Sequence, residues 1–158
     1  MKRLLIVLAM ALVIAAPSGS ATTLASSGET DVTGAGDGVF ASGAALAGVS
    51  LSGSQFGLGV IIYADGSAVG EFQSLLLGTS VLGASQNISI DGKVTTGAAN
   101  ADGSVTFGGT CTLDMGDGTL PTAGVPFSVT LATGGMTLVI GTTTLPAQTL
   151  SPGSVTIE

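Results

Sequence analysis

Ser104-Val-Thr-Phe-Gly-Gly-Thr-Cys-Thr-Leu-Asp114 is the stretch that decides the fold. Val105, Phe107, Gly109, Cys111 and Leu113 fall on one side of an extended chain. Ser104, Thr106, Gly108, Thr110, Thr112 and Asp114 fall on the other. This period-two alternation, apolar on one face and hydroxyl on the other, predicts a half-buried strand. Cys111 sits on the apolar side and reads as a small buried residue.

Working outward, the same period recurs. Gln55–Tyr63 groups Phe56, Leu58, Val60 and Ile62, and Pro126–Thr133 groups Phe127, Val129 and Leu131. Gly135–Gly141 groups Met136, Leu138 and Ile140, Gln86–Ile90 groups Ile88 and Ile90, and Gly153–Glu158 carries Val155 and Ile157. Between these lie turn signals. Asp-Gly occurs at 37–38, 65–66, 91–92, 102–103 and 117–118, and Thr133-Gly134-Gly135 is a further candidate. Asp-Gly favours the positive φ of tight hairpins. Val69–Leu77 reads as a bulged strand or a short helix. Phe40–Leu51 carries glycines that weaken a helix.

The expectation is an all-β chain: an antiparallel barrel or sandwich of roughly eight or nine short strands. No fixed-period repeat supports a solenoid. The expected division is 1–21 signal peptide, 22–36 flexible lead-in and 37–158 a single β-domain.

The N-terminus supports the first boundary. Lys2 and Arg3 precede an uncharged apolar run, Leu4–Ala16, and Pro17–Ala21 supplies a helix breaker and small residues. Charge, apolar run and small-residue cleavage site, in that order, read as a helical secretory signal. Cleavage is expected after Ala21, with Ser20 and Ala25 as alternatives. A membrane anchor needs roughly 20 apolar residues, and this run has 13. The expected location of the product is secreted or periplasmic, with no membrane span in the mature form.

Removal of the signal leaves Lys93 as the only base against ten acids, a net charge of −9. So cation-poor a surface cannot neutralise phosphates, which argues against nucleic acid and anionic lipid as partners. The acidity keeps a chain rich in glycine and apolar residues soluble. A lone cysteine allows no intrachain disulfide.

Chemistry is narrowly bounded. Without histidine there is no Ser-His-Asp or Cys-His catalysis, and no His-based metal site. A paired-carboxylate hydrolase would need two acids converging in a cleft. Most aspartates precede glycine, where turn geometry already explains them. Glu71 and Asp114 are the acids that turns explain least. Asn100–Ser104 and Asp114–Gly118 resemble pieces of calcium loops, but with Asn100 counted as the first position the twelfth is Cys111, not a bidentate acid. Gly34-Ala35-Gly36-Asp37 is one unit of a repeat that does not recur. Asn87-Ile88-Ser89 is a glycosylation sequon that also reads as strand. No aromatic girdle marks a membrane barrel. No catalytic, cofactor-binding or metal-ligating residue is assigned, and no cofactor is expected.

Phe56-Gly57-Leu58-Gly59-Val60, Asp65-Gly66-Ser67 and Gly70-Glu71-Phe72-Gln73 together resemble the opening hairpin of small secreted bacterial all-β domains of uncharacterised function. Ile90–Val94, Val105–Cys111 and Leu150–Ile157 extend the resemblance over about residues 54–157. The stretch that precedes the last hairpin in that group has only a loose counterpart between Gly116 and Pro126. The resemblance implies the fold class and a bacterial envelope or extracellular setting, and it transfers no active site.

Two functions are expected from this reading. The first is a non-enzymatic exported domain with a structural or interaction role, contacting an envelope protein or polysaccharide through its hydroxyl-rich faces. The alternative is a binder of a small apolar ligand in a barrel interior lined by Phe56, Leu58, Phe107, Phe127 or Leu138.

Overall fold

The computed structural model describes residues 28–152 and 154–158. The expected signal peptide and its cleavage zone lie outside them. Among the described residues all regular structure is strand: β1 (Thr30–Phe40), β2 (Ala45–Leu46), β3 (Val49–Ile62), β4 (Ser67–Thr79), β5 (Ile88–Ala99), β6 (Val105–Asp114), β7 (Thr122–Ala132), β8 (Gly135–Ile140), β9 (Thr143–Thr144), β10 (Gln148–Leu150) and β11 (Val155–Ile157).

Each long strand pairs antiparallel with its successor from β3 to β8, and β8 pairs with β10. β1 completes the ring. It pairs with β3 along Thr30–Val39 and, on its other edge, with β10 at Gly38–Phe40 and β11 at Val32–Gly34. The wall is thus a closed barrel of eight staves rather than a sandwich, with β10 and β11 as two halves of one interrupted stave. The count of eleven exceeds the eight or nine expected. Of the four short strands, β11 is the one expected from Val155 and Ile157; β2, β9 and β10, two or three residues long, are too short to display alternation. Val69–Leu77 lies in β4, whose register with β5 shifts between Ser67 and Gly70. Phe40–Leu51 contains no helix; β2 turns there through Ala47 and Gly48, both at positive φ.

The lead-in assignment requires correction, because β1 begins at Thr30, inside 22–36. Its inward positions are Val32, Gly34, Gly36, Gly38 and Phe40, so glycine replaces the apolar signal. The space is occupied from elsewhere. A Cβ on Gly36 would lie 2.6 Å from the Ser154 Cβ, and one on Gly34 2.5 Å from the Ser154 carbonyl oxygen. At Gly38 it would collide with the Gln148 side chain.

Apolar side chains from all eight staves meet in the lumen. Phe72 lies at the centre, stacked on Phe127 at 5.8 Å between ring centroids and edge-on to Phe107 at 6.1 Å. Leu76, Ile88, Ile90, Val129, Leu131, Met136 and Leu138 close around them, each at most 2% exposed. Burying side chains of this size stabilises by about 1.5–3 kcal/mol each. Cys111 joins this core, as expected.

Two of the five Asp-Gly signals are not turns. Asp37-Gly38 lies inside β1 and Asp91-Gly92 inside β5. Their glycines face inward. A Cβ on Gly92 would lie 2.7 and 2.8 Å from two carbons of the Phe127 ring, so glycine is required for the aromatic cluster rather than for a bend.

Candidate functional site

The antiparallel order places the loops at two rims. One carries the start of β1, the turns 63–66, 100–104 and 133–134, and β11. The other carries the loops 41–48, 80–87, 115–121 and 141–147.

Two turns on the first rim are the same device built twice. In Tyr63-Ala64-Asp65-Gly66-Ser67 the Ser67 amide and hydroxyl both donate to Asp65 Oδ1, at 2.9 and 2.6 Å. In Asn100-Ala101-Asp102-Gly103-Ser104 the Ser104 amide and hydroxyl donate to Asp102 Oδ1 at 2.9 and 2.7 Å. Gly66 and Gly103 take φ of +84° and +81°, a region that favours glycine. On the opposite rim Thr119 donates to Asp117 through its amide and hydroxyl in the same way. The hydroxyl bond first, and the amide bond second, hold each of these three carboxyls below the ordinary aspartate value.

These contacts locate the acids singled out in the sequence. Asp114 accepts the Gly116 amide at 2.9 Å, so it is a turn residue after all. Glu71 lies exposed on the outer face of β4, directly opposite Lys93 on β5, a favourable cross-strand pairing of charge. Strand spacing separates Glu71 from Asp114 by two staves and four residues, about 16 Å. They do not form a pair. Asn100 donates its side-chain amide to Ser104 Oγ at 2.9 Å, so the loop expected to resemble a calcium site folds its polar groups onto itself. Among the described residues no three Cys, Asp or Glu side chains gather to hold a metal. Gly34–Asp37 is mid-strand, and Asn87 precedes β5, its Oδ1 accepting the Gly78 amide at 3.2 Å. Burial, with a smaller contribution from Asp91, pushes the Cys111 thiol up, away from the reactive thiolate.

The residues that would line a ligand cavity pack instead. Phe56, Phe107, Phe127 and Leu138 are all at most 6% exposed, and Leu58 packs half-buried against the same core. The interior does hold a polar contact that sequence reasoning missed. Ser54 donates its hydroxyl to Gln148 Oε1, across the gap left by Gly38. This joins β10 to β3 past β1, across the line where the barrel closes. Only the amide oxygen is bonded; the buried Gln148 Nε2 has no partner among the described residues.

Outward, the middle of the wall carries Asp37, Gln55, Glu71, Gln73, Asp91 and Lys93. A lipid-facing barrel places apolar side chains there. At the first rim, a cleft of about 350 Å³ opens between β11 and the turns at 103 and 132–134, reaching the core residues Leu131 and Leu150.

No protein-family model, curated protein or solved structure matches the chain.

Proposed function

We propose that this chain is an exported, non-enzymatic β-barrel domain with a structural or interaction role in the bacterial envelope or extracellular space. Export rests on the charge–apolar–small order of residues 1–21. The setting rests on the resemblance across residues 54–157. The observation that carries the functional reading is the filled lumen: with Phe72, Phe107 and Phe127 packed against one another inside it, the barrel meets other molecules through its outer face and rims. The carboxylates support the same reading, because Asp65, Asp102, Asp114 and Asp117 are engaged in turns.

The test is retention of the purified protein on envelope protein and on envelope polysaccharide. Binding to either, unchanged in a Glu71→Gln/Asp114→Asn double variant, is the expected result. A hydrolytic activity in the wild type that disappears in that variant would overturn the reading.

A further inference from the structure

We propose that the free edge of β11 takes up an extended, basic peptide strand from a partner protein. This deepens the interaction reading above and rests on it.

Asp31 and Glu158 exchange both backbone hydrogen bonds at 2.9 Å, and the Ala35 amide donates to the Ser154 carbonyl at 2.9 Å. Thr33 pairs with Thr156 between them. Alternate residues of an antiparallel strand bond to the same neighbour. Ser154, Thr156 and Glu158 therefore turn their backbone groups toward β1. Val155 and Ile157 turn theirs the other way, where none of the described strands pairs with β11. Two amides and two carbonyls are presented in a row, at the spacing a peptide strand needs to add to a sheet.

The ground beside this edge is apolar. The 350 Å³ cleft reaches Leu131 and Leu150, which are core residues, and the Ile157 side chain is 41% exposed next to it. One apolar side chain of an added strand fits this space.

Charge selects the occupant. Glu29 just before β1, Asp31 on β1, Glu158 just after β11, and Asp65 and Asp102 in the two Ala-Asp-Gly-Ser turns all lie at this rim. Lys93, the one base among the described residues, is mid-strand on β5. A second copy of the chain would bring one ring of carboxylates against another. A segment alternating Lys or Arg with apolar residues places its cations near Asp102 and Glu158 and its apolar side chain in the cleft.

The experiment is a titration of the purified full-length protein with the capped peptide Lys-Val-Lys-Val-Lys-Val, followed by backbone amide NMR. The controls are the same peptide N-methylated at alternate residues, and Glu-Val-Glu-Val-Glu-Val. Shifts centred on Val155 and Ile157, weakened by salt, are expected. The N-methylated peptide should bind roughly tenfold more weakly, as loss of one or two net hydrogen bonds requires. Of the backbone bonds, Ile157→Pro removes only an amide that faces away from β1, so the barrel remains folded while peptide affinity falls by a similar factor, and Ile157→Ala, which keeps the amide and trims the side chain, should weaken binding less. Equal binding of the N-methylated peptide, unchanged binding by Ile157→Pro, binding of the acidic peptide, shifts centred elsewhere, or concentration-dependent self-association at Ile157 would each overturn the proposal. If the peptide fails while the protein is still retained on envelope material, this edge is wrong and the interaction reading stands. If neither binds, the interaction reading itself fails.

Discussion

The dipeptide Asp-Gly has two fates in this barrel. At 65–66, 102–103 and 117–118 it makes a turn, and at 37–38 and 91–92 it runs straight through a strand. The third residue separates the groups: Ser67, Ser104 and Thr119 in the turns, Val39 and Lys93 in the strands. A hydroxyl at that place gives the aspartate two donors at once, from amide and side chain, and the loop closes on itself. Without it the glycine answers to its surroundings. Gly92 makes room for the Phe127 ring and Gly38 for Gln148. The lesson is that glycine supplies conformational freedom in one place and absence of volume in the other.

The strongest way to break this comparison is at the ring that Gly92 accommodates. Phe127→Ala should lower stability by about 3–5 kcal/mol, read from urea denaturation midpoints. Gly92→Ala should cost about 1–3 kcal/mol, because the added Cβ meets ring carbons and the Phe72 carbonyl together. The two changes should couple: in the Phe127→Ala background the Gly92→Ala cost should shrink to the part that the Phe72 carbonyl imposes. Additive effects would mean that Gly92 serves another purpose.

Gly66→Ala sharpens the contrast from the other side. Nothing lies within 3.8 Å of the added Cβ, the nearest atom being the Gly97 carbonyl oxygen at 3.9 Å. The expected cost is backbone strain alone, about 1 kcal/mol, and it should not couple to Phe127. Strong coupling in the double-mutant cycle would contradict a turn role.

Acid should distinguish the two groups again. The carboxyls of Asp65, Asp102 and Asp117 are held below the ordinary value of 3.8 by their hydroxyl and amide donors. A lowered native value means that these groups stabilise the fold above the unfolded value and stop doing so as pH falls through the native one. A pH series of thermal midpoints should fall below about pH 4, and less steeply in an Asp65→Asn/Asp102→Asn/Asp117→Asn variant. Identical profiles would show that the turn bonds carry no protonation dependence. The smallest effect is expected on the outer wall: Thr106→Ala should stay within about 0.5 kcal/mol, although its hydroxyl lies 3.1 Å from that of Thr130.

How much of this was legible follows from the same physics. Val105–Asp114 reads correctly as β6 because, Gly108 and Gly109 apart, its inner residues have volume and its outer ones carry polar side chains. β1 escapes because the space at Gly34, Gly36 and Gly38 is filled by Ser154, Val155 and Gln148, which are remote in sequence. The β2–β3 turn escapes because Ala47, at φ +48°, occupies a place where turn signals look for Asn, Asp or Gly. Of the candidate site, the exclusion of histidine chemistry was legible from composition. The repeated Ala-Asp-Gly-Ser of the two rim turns was also present in the chain, and its third-residue hydroxyl was the signal that would have sorted the aspartates, Asp114 aside. The free edge of β11 was not legible, because an unpaired edge is a property of the strands around it.

Closure of the barrel through β1 underlies both the filled lumen and the proposed outward-facing role, and residue-resolved hydrogen exchange tests it most directly. The amides that β1 donates to β3 should exchange as slowly as those in the middle of β5, through global unfolding. Exchange of the β3-facing amides of Val32, Gly34, Gly36 and Gly38 at rates typical of an unstructured chain, with β5 still protected, would contradict a closed barrel and return this segment to a flexible lead-in.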